Sequence, residues 1–150
     1  MRIEFYVLSS ADEKAKFRFV CQLVEEIWQP GYRICIQVAS LTQAEQLDTI
    51  LWTFKQESFL AHDIYTENIQ SLASIFINHH VDDTCHDTKV LINLSERIPP
   101  FDTQFERIIE LIDNIPASRE AGRERYRFYR QAGYDLVTHE MTSQFQRKVR

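Results

Sequence analysis

Apolar residues at the start of the chain follow two different periods. Residues 3–8 are apolar on balance and rich in β-formers, and they end at Ser9, which predicts a strand followed by a helix cap. After Asp12, which suits the N-cap position, apolar residues recur at three- and four-residue intervals over 17–28, and Pro30 closes the stretch. This spacing predicts an amphipathic helix.

The same alternation continues in the next segment. Residues 33–38 are typical of a second strand, and a second helix is predicted after a cap at Ser40 or Thr42. The apolar stripe of that helix consists of Ala44, Leu47, Leu51 and Phe54. The chain is therefore expected to begin with a strand, a helix, a strand and a helix.

The middle of the chain is less regular. A loop is predicted over 58–67, a short strand over 74–77 and a polar loop over 79–88. Residues 89–94, Lys-Val-Leu-Ile-Asn-Leu, predict a buried strand that ends before the proline pair starting at Pro99.

The last third contains one ambiguous segment and one clear helix. Residues 107–113 suit a helix or a strand, and their β-branched content favours a strand. Good helix formers over 117–132 lie between Pro116 and Gly133, which predicts a helix that stops at the glycine. A short edge strand is predicted over 134–140.

These elements predict a single three-layer α/β domain with a mainly parallel sheet. It is expected to span residues 1–140, with a polar tail over 141–150. Hydrophobic residues make up 44% of the 150 and charged residues 26%, and no segment approaches the roughly 18 to 20 apolar residues of a membrane span. The N-terminus lacks the features of a secretory signal, so a cytoplasmic location is expected.

Nucleotide-binding enzymes of this fold class need closely spaced glycines, because backbone N–H groups must approach the phosphates. The chain has three glycines, Gly31, Gly122 and Gly133, and none forms a phosphate-binding pattern. The G-x-S-x-G elbow of serine hydrolases is also missing. We therefore expect no cofactor and no catalysis by this chain alone.

One segment contains several side chains that can bind metals. Residues 79–87, His-His-Val-Asp-Asp-Thr-Cys-His-Asp, combine imidazole, thiolate and carboxylate groups. Their spacing matches no regular zinc pattern. A solvated surface loop is the favoured interpretation, and a small metal-dependent enzyme is the alternative.

Charge is unevenly distributed along the chain. The formal net charge is −5, which opposes nonspecific attachment to nucleic acid, yet residues 119–130 form a basic segment. On a helix, arginines at three- and four-residue spacing project from one face, with Tyr126 beside them. These arginines are Arg119, Arg123, Arg127 and Arg130.

Three interpretations of this arginine face remain open: a solvated helix surface, a direct nucleic-acid site, and a site for an acidic peptide. Arginine makes bidentate, charge-assisted bonds to carboxylates, and an adjacent apolar surface can receive an apolar anchor. The overall acidity of the chain favours the peptide over nucleic acid.

Two large aromatic residues lie where the second helix is expected to give way to a loop. Trp52 and Phe59 are either part of the core or anchors of an interface. Burial in the core is the default for such residues.

Several short motifs share their order and spacing with one known family. They are Leu47-Asp48, Leu51-Trp52, Glu57-Ser58-Phe59 with His62, residues 107–112, and the arginine- and tyrosine-rich segment 123–134. Together they resemble the chi subunit of bacterial DNA polymerase III over residues 3–139. The segment 79–87 and the tail after Met141 have no counterpart in this resemblance.

The resemblance implies a Rossmann-like domain without nucleotide, acting as a non-catalytic adaptor. It implies a heterodimer with the psi subunit through Trp52 and Phe59, and thereby an indirect link to the clamp loader. It also implies binding of the acidic C-terminal tail of the single-stranded DNA-binding protein, which ends in proline and phenylalanine, so that DNA is reached mainly through partners and no membrane is involved. The tail-binding residues matched by position are Arg123, Tyr126, Arg127 and Arg130, with Arg119 as a further basic contact and Ile115 lining the apolar pocket.

Overall fold

The computed structural model of the chain describes residues 2–28, 33–53, 62–64, 75–79, 88–98 and 105–141, with the backbone alone at 62–64. Within these residues there are three helices: α1 (Glu13–Ile27), α2 (Leu41–Thr53) and α3 (Pro116–Gln131). The strands are β1 (Arg2–Val7), β2 (Ile34–Gln37), β3 (His62–Ile64), β4 (Ile75–Asn78), β5 (Val90–Asn93), β6 (Arg107–Ile112) and β7 (Leu136–Glu140).

The described strands form one sheet in the order β3-β4-β2-β5-β6-β1-β7, in which every neighbouring pair is parallel. Helices α1 and α2 share a core with one face of this sheet, and α3 shares a core with the other. On β1, for example, Tyr6 belongs to the first core and its neighbour Phe5 to the second. This confirms the predicted three-layer α/β fold.

The central strands are buried on both faces, which explains why their sequences are apolar without alternation. Residues 107–112 form β6 between β5 and β1, so the preference for a strand there is confirmed. The predicted edge strand is also confirmed, because β7 pairs with β1 and ends the sheet. Gly133 has a φ of 91°, the left-handed conformation that stops α3 after Gln131.

The loop predicted over 58–67 is wrong at 62–64, which form β3 beside β4. A three-residue strand at a sheet edge is too short to produce a recognisable period. The rest of that segment lies outside the described residues, as do Phe59, Pro99, most of 79–87 and all of 142–150.

Met141, the first residue of the predicted polar tail, contacts the domain. Its N–H donates to the carbonyl oxygen of Val7 at 2.9 Å, and its side chain packs against the core shared with α1 and α2. Among the helices that the structure describes, none is long and apolar enough to cross a membrane.

Candidate functional site

Helix α3 divides its charged residues between two surfaces. It begins with a proline in its first turn and carries Gly122, Arg125 and Tyr129 on the buried side, at spacings of three and four residues. Arg123 lies in an exposed position close to that buried row. The helix therefore packs against the sheet through one narrow stripe and presents most of its arginines to solvent.

The buried stripe contains an ion pair. Arg125 and Glu110 on β6 are almost fully buried, and Arg125 Nε donates to Glu110 Oε1 at 2.8 Å. Tyr129 Oη donates to Glu110 Oε2 at 2.7 Å, and Asn93 Nδ2 donates to Oε1 at 2.9 Å. Arg125 also reaches the loop after β5, where its Nη1 donates to the carbonyl oxygen of Glu96 at 3.1 Å. We call Glu110, Arg125 and Tyr129 the buried triad.

Burial and hydrogen bonding act in opposite directions on this carboxyl group. The pKa of Glu110 is raised, because burial outweighs the charge of Arg125 and the hydrogen bonds from Tyr129, Arg125 and Asn93, all of which lower it. The pKa of Tyr129 is raised far above its ordinary value, first by burial and then by the adjacent Glu110. Tyr129 is therefore a neutral hydrogen-bond donor over the whole physiological pH range.

A hollow of about 160 Å³ lies between α3 and the edge of the sheet. Its floor comes from the sheet: Phe5 and Val7 on β1, Thr138 opposite Phe5 on β7, and Ile112 opposite Val7 on β6. Its rim comes from α3 and consists of Arg119, Gly122, Arg123 and Tyr126. The site therefore combines an apolar floor with two guanidinium groups at its edge.

Gly122 sets how closely α3 approaches the floor of the hollow. A Cβ atom at this position would overlap the end of the Ile112 side chain, so any other residue here requires Ile112 or the helix to shift. The Ile112 side chain fills the position that this Cβ atom would take. Of the two glycines that the structure describes, Gly122 is the one that lines the site.

The contacts that the two rim arginines make with other described residues lie at the surface. Arg123 Nη1 lies 3.1 Å from Glu120 Oε1, with both side chains more than half exposed, and Arg119 Nε donates to Asn114 Oδ1 at 3.1 Å. An exposed ion pair of this kind contributes about 0–1 kcal/mol. An incoming carboxylate can therefore compete for both guanidinium groups.

The structure brings together only some of the predicted site residues. Arg119, Arg123 and Tyr126 line the hollow. Arg127 and Arg130 are exposed on the same helix but are not among the lining residues. Ile115, expected to line the apolar pocket, is 37% exposed and borders a different cavity, and Ile112 provides the apolar floor in its place.

The cavity that contains Ile115 is larger, about 390 Å³, and lies outside the carboxyl ends of β2, β5 and β6. Its wall includes a buried ion pair in which Lys16 Nζ lies 3.3 Å from Asp113 Oδ2. Ligands of open α/β sheets bind at this end of the strands. At the start of α2, the N–H of Gln43 donates to Ser40 Oγ, and the N–H of Ala39, just before the helix, donates to Gln43 Oε1.

Two other predicted features have different outcomes. Trp52, near the end of α2, is 54% exposed and is therefore not a core residue, whereas Phe59 lies outside the described residues. No group of three or more His, Cys, Asp or Glu side chains within the described ranges could hold a metal ion. Most of the segment 79–87 is not among those residues.

Sequence reasoning missed Arg125, because it counted this residue with the basic segment. The available signal was its spacing from Gly122 and Tyr129, which places all three on one helical face. Asn93 and Glu110 were missed as polar partners for a different reason. Each sits within an apolar strand, and nothing in the sequence shows that Asn93 and α3 both meet Glu110.

Comparison with known proteins identifies the family. Residues 1–137 match the family model described as DNA polymerase III chi subunit, HolC. The chain belongs to this family. It is 34% identical to the DNA polymerase III subunit chi of Pseudomonas aeruginosa over 140 residues, which cover 93% of this chain and 96% of that protein. The subunit chi of Haemophilus influenzae is 30% identical over 135 residues, which cover 90% of this chain and 94% of that protein.

Membership confirms the resemblance and makes the chain an accessory subunit of a replicative polymerase complex. The subunit chi of Escherichia coli is also similar, at 30% identity over 81% of this chain and 82% of that protein. Among solved structures, the C-terminal domain of Dbp5 from S. cerevisiae, bound to Gle1 and IP6, aligns with a TM-score of 0.62. That alignment has 12% identity over 92% of this chain and 90% of the other, so it shows a shared fold alone.

Proposed function

We propose that this chi-family chain is a non-catalytic adaptor that binds the acidic C-terminal tail of the single-stranded DNA-binding protein in the hollow beside α3. The observation that supports this most directly is the combination of an apolar floor with Arg119 and Arg123 at the rim. A peptide end that carries both carboxylates and a terminal ring matches the two halves of this site. The chain would act in the cytoplasm, where its partners work on DNA.

The two parts of the site contribute in different ways. Burying a phenylalanine ring stabilises a complex by about 1.5–3 kcal/mol, and the hollow of about 160 Å³ has room for a single ring. The arginines attract the carboxylates, so affinity falls as salt rises. Ordering a flexible tail costs free energy, and firm attachment therefore requires several tails engaged together.

Arg127 and Arg130 belong to the same proposal at a greater distance from the ring. Both are exposed on α3 and follow the rim residue Tyr126 in sequence. They would meet acidic residues that precede the chain end. Their contribution is long-range and more strongly screened by salt than that of Arg119 and Arg123.

Replacing Arg123 by alanine is expected to weaken tail binding by about 1–3 kcal/mol, the contribution of a hydrogen bond to a charged group, without unfolding the protein. The measurement is a titration of labelled tail peptide, with and without its terminal phenylalanine, into the wild type and the variant. Wild-type binding should depend on the ring. Arg127→Ala is the matched control, because Arg127 is an exposed arginine of the same helix outside the hollow. This variant should lose less affinity for the tail peptide than Arg123→Ala.

A parallel titration with a single-stranded oligonucleotide tests the alternative function, direct nucleic-acid binding through residues 119–130. The exposed arginines favour it, and the net charge of −5 opposes it. Tight oligonucleotide binding together with ring-independent peptide binding would replace the proposed function with this alternative. Normal tail binding by Arg123→Ala would show that the site is elsewhere.

The link to the clamp loader is proposed to run through the psi subunit at the surface around Trp52. This residue is 54% exposed on α2, on the opposite face of the sheet from α3. The two partners would therefore contact different layers of the domain and bind at the same time. Phe59 is proposed to belong to this surface by its match to the family.

Trp52→Ala is expected to weaken the complex with psi by about 2 kcal/mol or more, the typical loss for an aromatic anchor at an interface. Co-expression with psi followed by size-exclusion chromatography would show the loss of the heterodimer, and tail binding should be unaffected. Leu41→Ala removes another exposed apolar side chain from α2 and is the matched control. An intact heterodimer with Trp52→Ala would exclude this surface.

A further inference from the structure

We propose that the buried triad positions the docking helix: Glu110, Arg125 and Tyr129 hold α3 at the height and rotation that keep the hollow open, without touching its occupant. This inference rests on the proposed function only for its binding measurement. None of the three residues lines the hollow, and all three are buried. A role in tail binding would therefore act through the backbone of α3.

The geometry of the triad fixes a rotation as well as a distance. Arg125 and Tyr129 lie one helical turn apart, and they bond to the two different oxygens of the Glu110 carboxylate at 2.8 and 2.7 Å. The carboxylate is itself held by Asn93 Nδ2 at 2.9 Å. Hydrogen bonds are directional, and the helix makes two of them to a carboxylate that is itself held in place. Rolling α3 on the sheet would therefore break one of these bonds.

The same helical turns carry the rim of the hollow. Tyr126 follows Arg125 in sequence, and its ring packs edge-on against Phe5 of the floor with centroids 5.3 Å apart. The ring of Tyr129 also packs edge-on against Phe5, with centroids 6.0 Å apart. Any roll of α3 would therefore displace the rim groups of Tyr126 and Arg123 relative to the floor.

Packing alone would not need these polar groups. An apolar set of similar volume often holds a buried contact as well as an ion pair does, or better, because the charges lose their hydration. What hydrogen bonds add is direction. Here the directional bonds lie directly behind the docking surface, and Arg125 extends them to the loop after β5 through the Glu96 carbonyl oxygen.

Tyr129→Phe tests the proposal, because it removes one hydroxyl and keeps the ring that fills the core. We expect the affinity for the tail peptide to fall about three- to tenfold, as for the loss of one buried hydrogen bond. We also expect the ratio of affinities for peptides with and without the terminal phenylalanine to shrink. Loss of stability alone would not change this ratio while the protein remains folded. Ile92→Val, in the core on the opposite face of the sheet, is the control and should keep the wild-type ratio.

A second measurement needs no peptide. In the NMR spectrum of the free protein, contacts between the Tyr126 and Phe5 rings and the signals of Ile112 and Thr138 should change in Tyr129→Phe and not in Ile92→Val. Unchanged contacts between the Tyr126 and Phe5 rings would overturn the positioning role, whatever result the peptide titration gives. A wild type that fails to distinguish the two peptides would instead overturn the proposed function and leave the NMR result to decide the inference.

Discussion

Replacing Arg125 by methionine is expected to lower the free energy of unfolding by about 3–5 kcal/mol at neutral pH, the cost of breaking a buried ion pair from one side. Arg125 is 2% exposed, and its guanidinium is the charge partner of Glu110, which is fully buried. Methionine fills similar space but leaves the carboxylate without a counter-charge. Denaturant unfolding at pH 7 to 8, followed by circular dichroism, measures the change.

Arg123→Met is the matched control, because it makes the same substitution at an exposed position of the same helix. It should change stability by no more than about 0.5 kcal/mol. The double variant Arg125→Met with Glu110→Met should be more stable than Arg125→Met alone, because it removes the unpaired charge. Its recovery should be incomplete, since Tyr129 Oη and Asn93 Nδ2 lose Glu110 as their acceptor. Equal stability of Arg125→Met and Arg123→Met would show that the buried pair contributes nothing.

The loss in Arg125→Met is also expected to depend on pH. Burial raises the pKa of Glu110, and the arginine whose charge opposes that rise is absent from the variant. A carboxyl whose pKa is higher in the folded than in the unfolded chain takes up a proton on folding, so its contribution to stability falls as pH rises through the folded-state pKa. The deficit should therefore shrink as the pH is lowered from neutrality toward the ordinary glutamate value of 4.5. A deficit independent of pH would mean that Glu110 is not left ionised and unpaired.

Gly122→Val is expected to remove most of the ring-dependent part of tail binding, about 1.5–3 kcal/mol for a buried phenylalanine, or roughly ten- to 150-fold in affinity. The added side chain would overlap Ile112 and occupy the space in which the ring is proposed to sit. The charge attraction by Arg119 and Arg123 should survive. The variant is therefore expected to bind the complete peptide about as weakly as the wild type binds the peptide without phenylalanine, in titrations at matched salt.

Ala117→Val is the control for the helix itself, because it places a β-branched residue at an exposed position of α3 outside the hollow. It should retain ring-dependent binding. Gly122→Val is also expected to lose stability by overpacking, about 1–3 kcal/mol, so both variants need a melting curve before titration. A folded Gly122→Val that still distinguishes the two peptides would place the ring somewhere other than this hollow.

The sequence alone determined the order of most elements and the face of α3 that carries the arginines. Period and flanking residues predict α1, α2 and α3, and Gly133 marks the end of α3 because its backbone adopts a φ of 91°. The family resemblance rests on the same local spacing. These features follow from neighbours a few residues apart, which is the range over which sequence patterns carry information.

The tertiary structure decided which arginine is buried and which isoleucine forms the floor of the hollow. Arg123 and Arg125 are both arginines and lie two residues apart in sequence. Arg125 meets Glu110 across the interface between α3 and β6, whereas Arg123 is exposed. Ile112 rather than Ile115 faces the hollow, because Ile112 ends β6 beside Val7 whereas Ile115 lies at the other cavity. Helical spacing groups Arg125 with Gly122 and Tyr129 on one face, but it does not show that this face meets Glu110, because that contact joins residues far apart in the chain.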